Sequence, residues 1–158
     1  MSKPDKATLD AVMNGWLIKD GHEYPLVVQF EDTDAGGIVY HSNYVDYAER
    51  GRTALLRICD VYMNDLIERD EVIIVRRVEA DYKRPSFMGE RLIVTSDEFS
   101  LGKASFSIRQ TVADEEGNVR AVLKVDGAFV SVSTGRPIRV PADVRAKMEA
   151  VTAKAAEL

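Results

Sequence analysis

Cysteine and histidine are scarce in this chain of 158 residues, which has one cysteine, Cys59, and two histidines, His22 and His41. A single cysteine forms no intrachain disulfide, which fits a reducing compartment. Cys59 sits in a helical, apolar stretch, where a small buried thiol is the ordinary use of the residue. Two distant histidines and a lone cysteine make no metal-ligand set, so no metal is expected. Long apolar runs are also missing, so no membrane span is expected. The start, Met1-Ser2-Lys3-Pro4-Asp5-Lys6, lacks the apolar centre of a secretion signal, and the expected location is cytoplasmic. An excess of positive charge is absent too: 21 Lys and Arg against 26 Asp and Glu give a net charge of -5. That balance argues against a nucleic-acid partner. Neither a phosphate-cradling glycine loop nor a nucleophile elbow around serine occurs. With 46% hydrophobic residues, the chain can bury the core of one domain, 1–158.

The apolar pattern divides the chain. Leu9, Val12 and Met13 suit a short amphipathic helix within 1–14. Trp16-Leu17-Ile18 and the run ending in Leu26-Val27-Val28-Gln29-Phe30 flank Asp20-Gly21, a hairpin signal. His22, beside that turn, reads as solvated. From Tyr44 the period becomes 3.6, with Tyr44, Ala48, Gly51, Leu55 and Ile58 on one face and Ser42 or Asn43 as the N-cap. Gly51 inside this helix costs about 1 kcal/mol against alanine, which suggests a close backbone contact. A short helix over 61–69 follows.

Beyond Val72 four strands are expected, with Pro85, Gly89, Leu101-Gly102 and Asp114–Asn118 between them. Phe106, Ile108, Gln110 and Val112 alternate cleanly with Ser107, Arg109 and Thr111. In the last strand, expected over 119–133, the parity changes at Asp126-Gly127, a bulge signal. Val144, Met148 and Val151 predict a surface helix within 141–158. One helix followed by antiparallel strands predicts an α+β domain in which the sheet curls round that helix. Such a thin layer exposes a face and an edge that a second copy would cover.

The strand-to-helix connection Phe30-Glu-Asp-Thr-Asp-Ala-Gly-Gly-Ile-Val-Tyr-His-Ser-Asn-Tyr44 gathers Asp32, Asp34, two glycines and His41. A turn needs a polar residue and a glycine, but not all of these. The stretch from Asp32 to Tyr44, continued by Tyr47-Ala48-Glu49-Arg50-Gly51-Arg52, resembles the 4-hydroxybenzoyl-CoA thioesterase family and its YbgC-like members. The resemblance extends, more weakly, to about Pro141.

It implies a hotdog fold with the 44–58 helix at the centre, and hydrolysis of an acyl-CoA to free acid and coenzyme A. Coenzyme A then enters as part of the substrate, and no other cofactor is called for. Asp34 is the implied carboxylate, acting as nucleophile or general base, with His41 assisting. Gly36 and Gly37 allow close approach of the ligand, and Ile38, Val39 and Tyr40 line the substrate. Asp32 caps the turn or holds the loop. Lys83, Arg84, Arg109, Arg136 and Arg139 are candidates for the phosphates by charge alone. The family implies a homodimer, commonly a dimer of dimers (a homotetramer), and acyl carrier protein is a further candidate partner. A non-catalytic binding module for acyl-CoA or acyl carrier protein is the alternative reading. A hydratase would need an Asp/His pair further along the chain, where no histidine stands.

Overall fold

The computed structural model describes all 158 residues. Helix α1 (Lys6–Asn14) starts on Asp5, whose carboxylate accepts the Thr8 amide at 2.8 Å. Strands β1 (Trp16–Ile18) and β2 (Gly21–Val27) form the expected hairpin, turning at Asp20 with φ 57°. The strand expected up to Phe30 ends instead at Val27. Residues Phe30–Asp32 wind into a 3₁₀ turn, held by the Asp32 carboxylate accepting the Gln29 amide at 2.8 Å. Val28 is buried, while Phe30 is 80% exposed.

Helix α2 (Asn43–Ile58) and the short α3 (Met63–Glu68) come next. Strands β3 (Glu71–Tyr82), β4 (Arg91–Leu101), β5 (Ser105–Asp114) and β6 (Val119–Ser131) follow, then helix α4 (Ala142–Ala156). All strands join one antiparallel six-stranded sheet in the order β1-β2-β4-β5-β6-β3. The α+β arrangement is the expected hotdog, with α2 across the middle of the sheet. The strands after the helix are not simply hairpin-linked, however. β3 crosses to the far edge and pairs with β6, which leaves β4 beside β2.

The face of α2 that packs on the sheet differs slightly from the periodic reading. Tyr44, Tyr47, Ala48, Gly51 and Ala54 are buried, whereas Leu55 and Ile58 are only partly covered. Leu55 faces a cavity rather than a packed layer. Gly51 does lie at a close contact, made by side chains of the sheet rather than by backbone. A Cβ there would stand 2.8 Å from Val94 Cγ1 and 3.3 Å from Gln110 Nε2, too close for any side chain without a shift. Leu92, Val94, Val112, Leu123, Val125 and Phe129 complete a core with essentially no exposed surface.

Three further expectations are corrected. Ser42 occupies the N-cap position of α2 without a side-chain bond, and the side-chain Nδ2 of Asn43 instead donates to the Asp32 carbonyl at 2.6 Å. The register slip opposite Asp126-Gly127 falls on β3, between Val75 and Arg77, not on β6. Gly127 is there for another reason: a Cβ would meet the Phe106 ring at 2.0 Å. The change of parity arises because Ala128 and Val130 are buried as well as Phe129, with Pro137 bridging to Val130. His22 is fully buried rather than solvated, with Nε2 2.7 Å from the Asn14 carbonyl and Nδ1 unpartnered. It is the first inward position of β2, beneath the end of α1. Cys59 is buried as expected, and burial pushes its thiol up to about 11. In α4, Val144 and Met148 are buried against the core.

Candidate active site

The loop before α2 treats its two aspartates differently. Asp32 is 4% exposed. Its carboxylate accepts the Gln29 amide and the Tyr47 hydroxyl, the latter at 2.9 Å, while its carbonyl accepts the Tyr40 amide at 2.9 Å. One residue thereby ties the 3₁₀ turn, the far arm of the loop and the first turns of α2 together. Burial, reinforced by the hydrogen bond and charge of Asp32, pushes the Tyr47 phenol well above its usual range. Tyr47 therefore stays a neutral donor. In the sequence Tyr47 reads only as part of the helix pattern, and its position near Tyr44 on the helix is the available signal for an inward side chain.

Asp34 stands two residues further, exposed at a tight turn. Its Oδ1 accepts the Gly36 amide at 2.8 Å, its amide donates to the Ile38 carbonyl, and the Gly37 amide donates to its carbonyl. Gly37 sits at φ 77°, a conformation that glycine adopts without strain. Thr33 pairs with Val39 and Ile38 with Phe87, so the turn is a miniature hairpin stitched to the β3–β4 connection. Val39 is buried, and its amide donates to the Ser86 carbonyl. Tyr44 donates its hydroxyl to Ser86 Oγ at 2.9 Å.

The structure thus gathers Asp34, Gly36, Gly37, Ile38, Val39 and Tyr40 in one turn. His41 follows at its end, exposed, with its ring 4.5 Å from Tyr40 and 6.0 Å from Tyr82 between centroids. It makes no hydrogen bond to Asp34. The amides of His41, Ser42 and Tyr44 donate to no backbone carbonyl, leaving donors at the positive end of α2. Around this turn Phe30, Tyr40, Tyr82, Phe87 and Met88 form an exposed apolar rim.

A mainly apolar cavity lies elsewhere. About 520 Å³ opens along the C-terminal half of α2, between β3, β4, β5 and α4, and no residue of 30–44 lines it. Of the cations considered for phosphates, Lys83 pairs with Asp81 and Arg109 with Asp97 and Glu98. Arg84 reaches only Asn118, at 3.5 Å. No group of three or more His, Cys, Asp or Glu is placed to hold a metal ion.

The family model of the thioesterase-like superfamily matches residues 28–148, which include the whole loop, α2 and the sheet from β3 to β6. The chain belongs to the thioesterase-like superfamily. This thioesterase-like chain is 29% identical to the acyl-CoA thioesterase YbgC of Haemophilus influenzae, over 82% of its own length and 96% of that protein. It is 30% identical to the acyl-CoA thioesterase YbgC of Helicobacter pylori, over 72% and 90%. Its fold superposes on a probable thioesterase from Bartonella henselae with a TM-score of 0.71 at 29% identity, covering 77% of this chain and 99% of that one.

Proposed function

We propose that the chain hydrolyses acyl-CoA thioesters to a free acid and coenzyme A, with Asp34 as the reacting carboxylate. One observation carries this reading. Of the two aspartates in this loop, Asp32 is consumed in fixing it while Asp34 is left exposed, and the same loop ends in the free amides of a helix N-terminus. The names of the YbgC relatives support the reaction class. As a nucleophile, Asp34 would add to the thioester carbonyl and expel the coenzyme A thiolate. Water would then split the mixed anhydride and restore the carboxylate. As a base, it would take a proton from a water that adds to the same carbon. In either case charge develops on the carbonyl oxygen, and the amides of His41, Ser42 and Tyr44 are the donors to receive it. His41 would orient the water or the thioester, and Ile38, Val39 and Tyr40 would contact the acyl group. This chemistry needs no metal or redox cofactor.

The reading includes a homodimer, and a dimer of dimers beyond it. The apolar rim around Asp34 is open in one chain, and Ile74 and Val75 are exposed on the edge strand β3. A second copy would cover both. A cytoplasmic location and acyl carrier protein as a second acyl donor belong to the same proposal. No helix is long and apolar enough to cross a membrane.

The test is thiol release from a panel of acyl-CoAs of graded length, with binding measured in parallel. Catalytic release of coenzyme A from at least one of them is expected. Binding without release across the panel would overturn the hydrolase reading in favour of a carrier or sensor module.

A further inference from the structure

The β3–β4 connection grips the loop that carries Asp34 on both sides. Before the loop, the Glu90 carbonyl accepts the Val28 amide and the Val28 carbonyl accepts the Gly89 amide, each at 2.9 Å. After the Asp34 turn, the Ser86 carbonyl accepts the Val39 amide at 2.9 Å, and Phe87 bridges to Ile38. Ser86 is also tied to α2, through the Tyr44 hydroxyl. The position of residues 83–90 therefore sets where Asp34 stands relative to the start of α2.

That connection belongs to no helix or strand. What fixes it is Arg120, the second residue of β6. The Arg120 carbonyl accepts the amides of Lys83 at 2.8 Å and Arg84 at 3.2 Å. Its buried guanidinium donates from Nη1 to the Pro85 carbonyl at 2.7 Å and to Glu90 Oε2 at 2.8 Å, and from Nη2 to Asp114 Oδ2 at 2.9 Å. Glu90 Oε2 accepts the Phe87 amide as well, at 2.9 Å. Asp114 is itself held in the β5–β6 turn, where its carboxylate accepts the amides of Glu116 and Asn118. One guanidinium thus links a fixed turn to both arms of the connection, Pro85 before Ser86 and Glu90 after it. Burying a charge is an inefficient way to gain stability, and here it leaves Arg120 Nε buried without a partner. Serving acceptors in several fixed directions within one plane is what a guanidinium does and an ammonium does not.

We infer that Arg120 is the positioning residue of the Asp34 loop: through Pro85 and Glu90 it places Ser86 and Phe87, and through these it places the Asp34 turn against the start of α2. It acts through other residues and takes no part in bond making. Its effect on turnover rests on the hydrolase reading, whereas its effect on the loop does not.

The test is Arg120→Lys in the intact protein, which keeps the charge and loses the fork. With the acyl-CoA that the wild type cleaves best, kcat per folded molecule should fall about tenfold or more while KM changes less than about twofold. Val144→Ala, a truncation in a remote part of the core, should lower the melting temperature and leave kcat unchanged. Amide hydrogen exchange reads the loop without substrate. In Arg120→Lys the Val28 and Val39 amides should quicken about tenfold more than those of β4 and β5. If Arg120→Lys does not fold, Glu90→Gln, which keeps the pair of Arg120 with Asp114, should show both effects in the same sense. An unchanged kcat in the variant that folds, a loss of kcat/KM carried by KM alone, or a uniform quickening of exchange along the chain would each overturn the proposal. If the wild type releases no thiol from any acyl-CoA, the hydrolase reading falls by itself. Selective exchange at Val28 and Val39 then still supports Arg120 as the residue that holds the loop, and uniform exchange overturns it.

Discussion

The two ends of α2 are built on opposite plans. At its N-terminus a short polar loop is pinned by one buried aspartate and presents another to solvent. At its C-terminal half the helix borders an apolar cavity, where a buried glutamine holds an arginine that lacks a counter-charge. The bonds that fix the two aspartates of the first end are local, joining residues within 15 positions of one another, although Val39 and Tyr44 also reach across to Ser86. The second is assembled across 58 positions, from Arg52 to Gln110. Asp34 at the first end stays accessible because the fixing is done by its neighbour Asp32. At the second, the placement of a charge depends on how closely a helix and a sheet approach.

The sharpest way to break this comparison is Asp34→Asn. The amide keeps the turn bond to Gly36, so the melting temperature should hold. Turnover of acyl-CoA should fall about 10²-fold or more, the loss typical of removing a catalytic base. Steady-state kinetics near wild type would mean that Asp34 only shapes the turn.

Gly51→Leu attacks both ends together. The new side chain would have to displace Val94 and Gln110, so a loss of about 3 kcal/mol or failure to assemble is expected. Denaturant unfolding and light scattering read it. An unchanged midpoint would show that the sheet yields easily at this place.

Tyr47→Phe isolates the pinning aspartate. It removes the hydroxyl from a buried carboxylate, for an expected cost of about 2 kcal/mol. Activity should drop far less than in Asp34→Asn. If Tyr47→Phe abolished turnover at full stability, the structural role given to Asp32 and Tyr47 would be wrong.

The mildest effect concerns His22, at the junction of α1 with β2. Burial holds its imidazole below the usual value, while the Asn14 carbonyl and Glu23 pull it back up and Arg57 adds to the lowering. The unfolded chain takes up that proton near pH 6.5. Below this pH, down to the folded value, the unfolded state binds more protons, so stability decreases as pH falls. The slope is at most about 1.4 kcal/mol per pH unit. Urea midpoints of wild type and His22→Gln between about pH 7.5 and 5 should diverge in that sense. Parallel curves would mean that His22 takes up its proton as readily in the folded protein as in the unfolded chain.

The sequence by itself determined the α+β class, the hairpin at Asp20-Gly21, the central helix and the turn that presents Asp34. These follow from short-range causes: period, turn residues and glycines whose conformations are local. It also flagged Gly51 as a contact and put Gln110 on the inward face of its strand. It could not say what an inward glutamine would meet. The split of labour between Asp32 and Asp34 depended on Tyr47 pointing inward. The burial of His22 depended on α1 closing over β2. The placing of Arg52 depended on β5 passing under Ala48. Only the tertiary structure decided these, because each is a hydrogen bond between elements whose separation is fixed by packing, and packing is a property of the whole core rather than of any one segment.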